Sequence, residues 1–246
     1  MPELSWPAPP LVIAHRGASA RLPENTLAAY ELAVEMGADC IEVDLHCTRE
    51  GCVVIAHDES LARIGGRGEV LDATLAELRE LDAGQGERVP TLDETLDQLA
   101  TRIPFNLELK QSSRGPYPGL PAAALRAVRS RDLEDATLFS SFYDPVLAEL
   151  RALAPEVRIA LLISRRFPHQ WVERARRVGA SALNPEDALV DRALVERAHA
   201  EGLAVYVYTV DKPARMEELL GWGVDGIFTN HPDRLRRVVG AKGSAP

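Results

Sequence analysis

The sequence predicts an α/β protein of the (β/α)8 TIM-barrel class, with a small insertion after the second strand. Short apolar runs alternate with longer amphipathic stretches from one end of the chain to the other, the rhythm of parallel strands joined by helices. A chain of 246 residues suits one such barrel, a fold that commonly fills 200–250 residues as a single domain. The one apolar run beyond eight has a local explanation, a hairpin at the barrel mouth; an open doubly wound sheet is the alternative that periodicity alone leaves open.

The strand candidates, in order, are Leu11–Ala14, Cys40–Leu45, Val53–Ala56, Ile103–Leu109, Ala136–Phe139, Arg158–Ile163, Ala180–Leu183, Leu203–Tyr208 and Val224–Phe228. Most are bounded by Gly, Pro, Asn or Asp, as buried parallel strands should be. Arg49-Glu50-Gly51 reads as a turn, so Cys40–Leu45 and Val53–Ala56 should pair antiparallel, with position 56 opposite 44 and 57 near 43. Several helix starts are readable. Asn25 is expected to cap a helix bearing Leu27, Tyr30 and Val34, with Gly37 as its stop. Thr74-x-x-Glu77 and Thr91-x-x-Glu94 are capping boxes, in which side chains satisfy orphan backbone donors reciprocally. Asp144-Pro145 reads as a cap followed by Pro at the first helical position. The least regular stretch, 58–90, carries Gly65, Gly66, Gly68, Gly84 and Gly86 and is expected to be a mouth insertion of one domain spanning 1–246.

Composition narrows the function. The formal net charge is −9 and no Lys/Arg run exceeds two residues, which argues against a nucleic-acid or anionic-membrane surface. A phosphorylated substrate would therefore need a cation or a few local Arg and Lys. Met1–Pro10 shows no leader pattern, and the longest apolar run, Leu203–Tyr208, falls far short of a membrane span. Cys40, Cys47 and Cys52 are odd in number and lack zinc spacing, so reduced thiols in a cytoplasmic protein are expected.

Two strands depart from apolar interiors: Ile41-Glu42-Val43-Asp44-Leu45, and Phe105-Asn106-Leu107-Glu108-Leu109 followed by Lys110. Side chains alternate along a strand. The Leu and Val set should face the helices, and Glu42, Asp44, Glu108 and Lys110 the barrel axis. Buried carboxylates that converge must be paired or bind metal. Salt bridges to Lys110 and Arg16 are the plainer alternative, but three acids on adjacent strands favour a hard divalent cation, Mg2+ or Ca2+. Zinc would favour more His or Cys.

His15 directly follows the first strand, at the end where barrel enzymes place their chemistry. His57 follows the hairpin's return strand and should come beside the acidic pair. Two imidazoles flanking a cation suit general acid and base work on a phosphodiester, with Arg16 and Lys110 stabilising phosphate oxygens. His46 shares the parity of Glu42 and Asp44 but is expected past the mouth, in solvent. His169, His199 and His231 are expected on the surface, and Cys47 lacks a neighbouring base that would make it a nucleophile.

With these residues in place, the sequence resembles the glycerophosphodiester phosphodiesterase family. The likeness runs from about Val12 to Arg234. It is carried by His15-Arg16-Gly17, Pro23-Glu24-Asn25-Thr26, Glu42-x-Asp44, Glu50-Gly51, His57-Asp58, Pro90-Thr91-Leu92, Glu108-x-Lys110, Ser141-Phe142, Asn184-Pro185 and Gly223 to Asn230. The resemblance implies hydrolysis of glycerophosphodiesters to an alcohol and sn-glycerol 3-phosphate. It assigns Glu42, Asp44 and Glu108 to Mg2+ or Ca2+, His15 and His57 to acid–base catalysis, and Arg16 and Lys110 to phosphate. A glycerol hydroxyl can attack phosphorus first, giving a cyclic phosphate that water opens; His15 is then base and His57 acid in the first step, with roles exchanged in the second. Phe142 and Tyr208 are expected to touch substrate. The chain departs from the family in having Tyr208 where Trp is usual and Asp211 where Asn is usual, and in a short insertion reading Ile64-Gly65-Gly66 after Arg63.

Two other functions remain open at this level. One is a related barrel phosphodiesterase or lyase acting on lysophospholipids or other phosphodiesters, and the other a non-catalytic glycerophosphodiester-binding protein. The acidic charge and the lack of an anchor weigh against stable membrane association, and retention of both histidines weighs against a silent binder.

Overall fold

A computed structural model describes residues 4–243 of the chain. Among these residues each of the nine apolar runs contributes a strand. In chain order, β1 (Leu11–His15) leads to α1 (Leu27–Glu35), and β2 (Cys40–Cys47) to β3 (Val53–Ile55). The insertion carries α2 (Leu75–Arg79), and α3 (Leu92–Leu99) enters β4 (Phe105–Leu109). A small hairpin, β5 (Gln111–Ser112) and β6 (Gly115–Pro116), precedes α4 (Leu120–Arg129) and β7 (Thr137–Ser141). Then come α5 (Asp144–Leu153), β8 (Arg158–Ile163), α6 (Trp171–Val178), β9 (Ala182–Pro185), α7 (Arg192–Ala200), β10 (Ala204–Val207), α8 (Pro213–Gly221), β11 (Gly226–Thr229) and α9 (Pro232–Gly243).

The sheet closes because β1 pairs in parallel with both β2 and β11. The strand order around the barrel is β1-β11-β10-β9-β8-β7-β4-β2, with β3 added antiparallel to β2. Leu45 faces Ile55 and Cys47 faces Val53 across that hairpin, and the amide of Ala56 donates to the carbonyl of Asp44 at 3.1 Å. The turn at Glu50-Gly51 therefore sets the expected register, which fixes the face each side chain takes.

Side-chain parity divides the core. Leu11, Ile13, Cys40, Leu138, Ala160, Ala182, Tyr206 and Phe228 pack together inside the barrel. Val12, Ile41, Val43, Leu45, Phe105, Leu107, Phe139, Leu161, Leu183, Val205 and Ile227 face outward and pack with the helices. Gly226 is an inward position, where a Cβ would come within 2.9 Å of the Tyr206 ring and 3.0 Å of Leu11 Cβ.

Several boundaries sit later than the apolar runs suggest. β7 extends through Ser140 and Ser141, and β9 through Asn184 and Pro185. The C-terminal ends of these strands carry polar side chains, so hydrophobicity fades before pairing does. Two caps also move. Thr26, not Asn25, caps α1, accepting from the amide of Ala29 at 3.2 Å. Tyr143 holds the cap position of α5, and Asp144 is its first helical residue, accepting from Arg174 at 2.8 Å. In both cases the more acidic or more polar side chain is drawn away by a stronger partner.

Both capping boxes form, at Thr74–Glu77 and Thr91–Glu94. The insertion is more organised than its glycines suggest. Leu61, Val70, Ala73, Leu78 and Val89 gather with Val54 into a separate apolar cluster beside the barrel. Among the described residues, no helix is long and apolar enough to cross a membrane.

Candidate active site

The C-terminal ends of the strands place the polar residues. After β1 the backbone turns sharply, with φ of 58° at Arg16 and 85° at Gly17. A Cβ at Gly17 would lie 2.7 Å from the backbone of Ala29, so only glycine lets this loop sit against α1. The turn aims the Arg16 amide at Oε2 of Glu42, 3.0 Å away, and brings Nε of Arg16 within 3.1 Å of Oδ2 of Asp44.

β2 and β4 pair so that Asp44 lies beside Glu108 and Glu42 beside Asn106. One carboxylate oxygen from each of Glu42, Asp44 and Glu108 lies within 4.8 Å of the others, and all three residues are buried. Nζ of Lys110 stands 2.7 Å from Oδ1 of Asp44 and 2.6 Å from Oε1 of Glu108. Asn25 donates to Oδ2 of Asp44 at 2.8 Å, and the buried hydroxyl of Tyr30 donates to Oδ1 of Asn25 at 2.9 Å.

The charges do not balance locally. Burial opposes the ionised form of Asp44, but Lys110 and Arg16 outweigh it and hold that carboxyl well below the usual range. Burial also opposes the charge on Lys110, yet Asp44 and Glu108 push its pKa upward. Glu108 is raised by burial, with partial relief from Lys110. Glu42 is raised furthest, by burial and then by repulsion from Asp44 and Glu108. Its side-chain contact is the Arg16 amide rather than a cationic side chain. Although Nζ of Lys110 is close, Oδ1 of Asp44 is buried and no donor meets it in hydrogen-bond geometry. With all three carboxyls ionised, the two cationic side chains would leave one negative charge, which is why Glu42 resists ionising on its own; an all-oxygen donor set fits a hard divalent ion that would offset that charge.

The imidazoles flank this cluster. Nδ1 of His15 lies 2.8 Å from Oδ1 of Asn230. Burial, then the charge of Arg16, pushes His15 down to about 4. Nδ1 of His57 lies 2.9 Å from Oδ1 of Asp58, which Arg63 also holds. Burial lowers His57 as well, partly countered by Asp44. Each ring thus commits Nδ1 to a protein oxygen and leaves Nε2 for chemistry.

His15, Arg16, Glu42, His57, Glu108, Lys110, Phe142 and Tyr208 line one cleft of about 120 Å³ together with Asn106, Leu162 and Phe228. Asp44 is fully buried and touches two of these lining residues, Arg16 and Lys110. The cleft opens onto a groove of about 420 Å³ bordered by Gln111, Tyr143, Ser164, Arg166 and Phe167. Phe142 and Tyr208 meet edge to face at 6.1 Å. The Tyr208 hydroxyl donates to the carbonyl of Ile163 at 2.8 Å. That wall therefore offers ring surface rather than a free hydroxyl.

His46 is not in solvent. It is 2% exposed, with Nδ1 2.7 Å from the Tyr117 hydroxyl and Nε2 3.2 Å from the carbonyl of His57. β2 runs two residues further than its apolar run, which keeps His46 under cover. His169 and His199 are exposed and His231 is partly so. Cys40 and Cys47 are buried thiols, unpaired like Cys52. The sequence pattern does not mark Asn25, Tyr30, Asn106 and Asn230 as site residues, yet the structure brings all four to the cluster. Asn106 shares the parity of Glu108, and that signal could have found it.

A family model described as the glycerophosphoryl diester phosphodiesterase family matches residues 15–234. A glycerophosphodiester phosphodiesterase of Caldanaerobacter subterraneus subsp. tengcongensis is 37% identical over 238 residues, covering 93% of this chain and 97% of that protein. One from Bacillus subtilis is 32% identical, covering 93% and 86%. The solved structure of an Oleispira antarctica phosphodiesterase in complex with the product sn-glycerol-3-phosphate is 32% identical, with a TM-score of 0.86 over 94% of this chain and 97% of that one.

Proposed function

The chain belongs to the glycerophosphoryl diester phosphodiesterase family and is an enzyme of that class, and on this premise we propose that it hydrolyses glycerophosphodiesters to an alcohol and sn-glycerol 3-phosphate by cation-dependent His/His catalysis. The carrying observation is the convergence of Glu42, Asp44 and Glu108 within 4.8 Å at the base of a cleft that both His15 and His57 line.

Glu42, Asp44 and Glu108 would hold Mg2+ or Ca2+, which supplies Lewis-acid stabilisation of a phosphoryl oxygen. Arg16 and Lys110 present positive charge to the remaining oxygens. Phe142 and Tyr208 pack against the carbon skeleton of the substrate. His15, kept neutral by burial, takes the proton of the attacking glycerol hydroxyl at Nε2. His57 delivers a proton to the departing alkoxide. The partners favour this division: His57 leans on the carboxylate of Asp58, which stabilises an imidazolium, while His15 leans on a neutral amide. Opening of the cyclic phosphate by water reverses the two roles. The free thiols suit a reducing compartment, so we place the enzyme in the cytoplasm.

The test is a panel of glycerophosphodiesters and lysophospholipids with detection of the released alcohol for both classes and of glycerol 3-phosphate for the water-soluble diesters. Release from the water-soluble diesters is expected. Turnover of lysophospholipids alone would overturn the substrate assignment.

A further inference from the structure

We propose that Asp211 is a positioning residue that sets the tautomer of His15 through the side-chain amide of Asn230. This rests on the reading of His15 as the base. The three residues follow three neighbouring strands: Asp211 lies beyond β10, Asn230 directly follows β11, and His15 ends β1.

Each contact in the chain has only one workable polarity. Oδ1 of Asp211 accepts from the backbone amide of Asn230 at 2.8 Å and from the Thr229 hydroxyl at 2.9 Å. Its Oδ2 lies 2.7 Å from Nδ2 of Asn230. An ionised carboxylate only accepts, so the Asn230 side chain must turn its NH2 toward Asp211. Hydrogen bonds from Asn230 and Thr229 overcome burial and keep Asp211 ionised. The opposite end of the amide, Oδ1, then faces His15 Nδ1 at 2.8 Å, and Oγ of Ser19 at 2.8 Å. An amide oxygen also only accepts. Nδ1 of His15 must therefore carry the proton, and the lone pair falls on Nε2, the nitrogen left for substrate. A flipped amide would set oxygen against carboxylate and NH2 against the ring nitrogen. Asp211 forbids that flip from two hydrogen bonds away.

The chain can be reversed by design. In Asp211→Asn, the new amide oxygen keeps the backbone amide of Asn230 and the Thr229 hydroxyl. Its NH2 then opposes the NH2 of Asn230, which flips and offers a donor to His15 Nδ1. The double variant Asp211→Asn/Asn230→Asp restores the polarity, because a carboxylate at 230 accepts from both the new amide and His15 Nδ1–H.

The experiment is long-range 1H–15N correlation on histidine-labelled protein, with the His15 signal identified by its loss in His15→Ala. The wild type should show Nδ1–H at neutral pH, Asp211→Asn should show Nε2–H, and the double variant Nδ1–H again. In parallel, kcat should fall about 100-fold in Asp211→Asn with KM nearly unchanged, and recover to within about tenfold of wild type in the double variant. Nε2–H in the wild type overturns the proposal, as does an unchanged tautomer in Asp211→Asn or a double variant no better than the single. If instead His15→Ala retains turnover, the base assignment fails while the spectra still decide the coupling.

Discussion

Asn25 donates its side-chain amide to Oδ2 of Asp44 at 2.8 Å, from a backbone held at φ 59°. The Tyr30 hydroxyl fixes the orientation by donating to the same side chain's oxygen. Asp44 thus has Asn25, Arg16 and Lys110 around its two oxygens. A carboxylate steered in this way presents itself to a cation without first reorganising.

Removing that support should weaken cation binding more than it disturbs the fold. Asn25→Gly tolerates the left-handed backbone and is expected to lower Mg2+ or Ca2+ affinity about 10–100-fold, the usual cost of losing a partner behind a ligand. Tyr30→Phe, which leaves Asn25 in place but unoriented, should show a smaller loss. Calorimetric titration measures both. Unchanged affinity in the two variants would remove Asn25 from the site.

On the proposed function, a cation held by Glu42, Asp44 and Glu108 would stabilise the fold as well as serve catalysis, because it would offset the mutual repulsion of these carboxylates. Exhaustive EDTA treatment should abolish turnover, and Mg2+ or Ca2+ should restore it. Cation at about 100 times its Kd should add about 2.7 kcal/mol to folding stability, visible as a rise in Tm. Rates that survive complete chelation rule out the metal reading.

Much of this was legible in the sequence because period-two alternation is rigid. Once Ile41–Leu45 and Phe105–Leu109 are strands, Glu42, Asp44 and Glu108 have to share the barrel interior. The Glu50-Gly51 turn likewise fixes where His57 lands. What escaped depends on competition between partners, which sequence does not rank. Asn25 and Thr26 are both good caps, and Thr26 takes the role because Asp44 claims Asn25. Asp144 looked like a cap until Arg174 supplied a stronger partner. His46 looked exposed because nothing local foretells Tyr117, seventy-one positions away, covering it.

The two imidazoles should be separable by leaving group. His15→Ala and His57→Ala should each lose about 10²–10⁴ in kcat, with cation-dependent stabilisation intact. An acidic leaving alcohol such as nitrophenol departs without a proton. It should rescue His57→Ala in large part and leave His15→Ala impaired. Equal rescue of both variants would contradict the assigned roles, and normal turnover by both would end the acid–base reading.

His46 supplies a pH signature in stability. A neutral ring satisfies both neighbours: Nε2–H donates to the His57 carbonyl, and Nδ1 accepts from the Tyr117 hydroxyl. Burial holds its pKa at about 4 in the folded protein, against 6.5 in an unfolded chain. Between those values the unfolded state binds the extra proton, so stability rises with pH through this window and is fully present above it. Falling from pH 6.5 to 4 should therefore cost about 3 kcal/mol from this residue, at about 1.4 kcal/mol per unit. His15, shifted in the same direction, adds a parallel loss. Urea denaturation of the wild type and His46→Gln at intervals from pH 7.5 to 4 measures the effect. The variant should lose about one proton's worth of slope across the window, because a glutamine in place of the ring does not titrate. Parallel curves for the two proteins would show that His46 takes up its proton as readily in the fold as in the unfolded chain, with the Tyr117 hydroxyl then accepting from the protonated ring rather than donating.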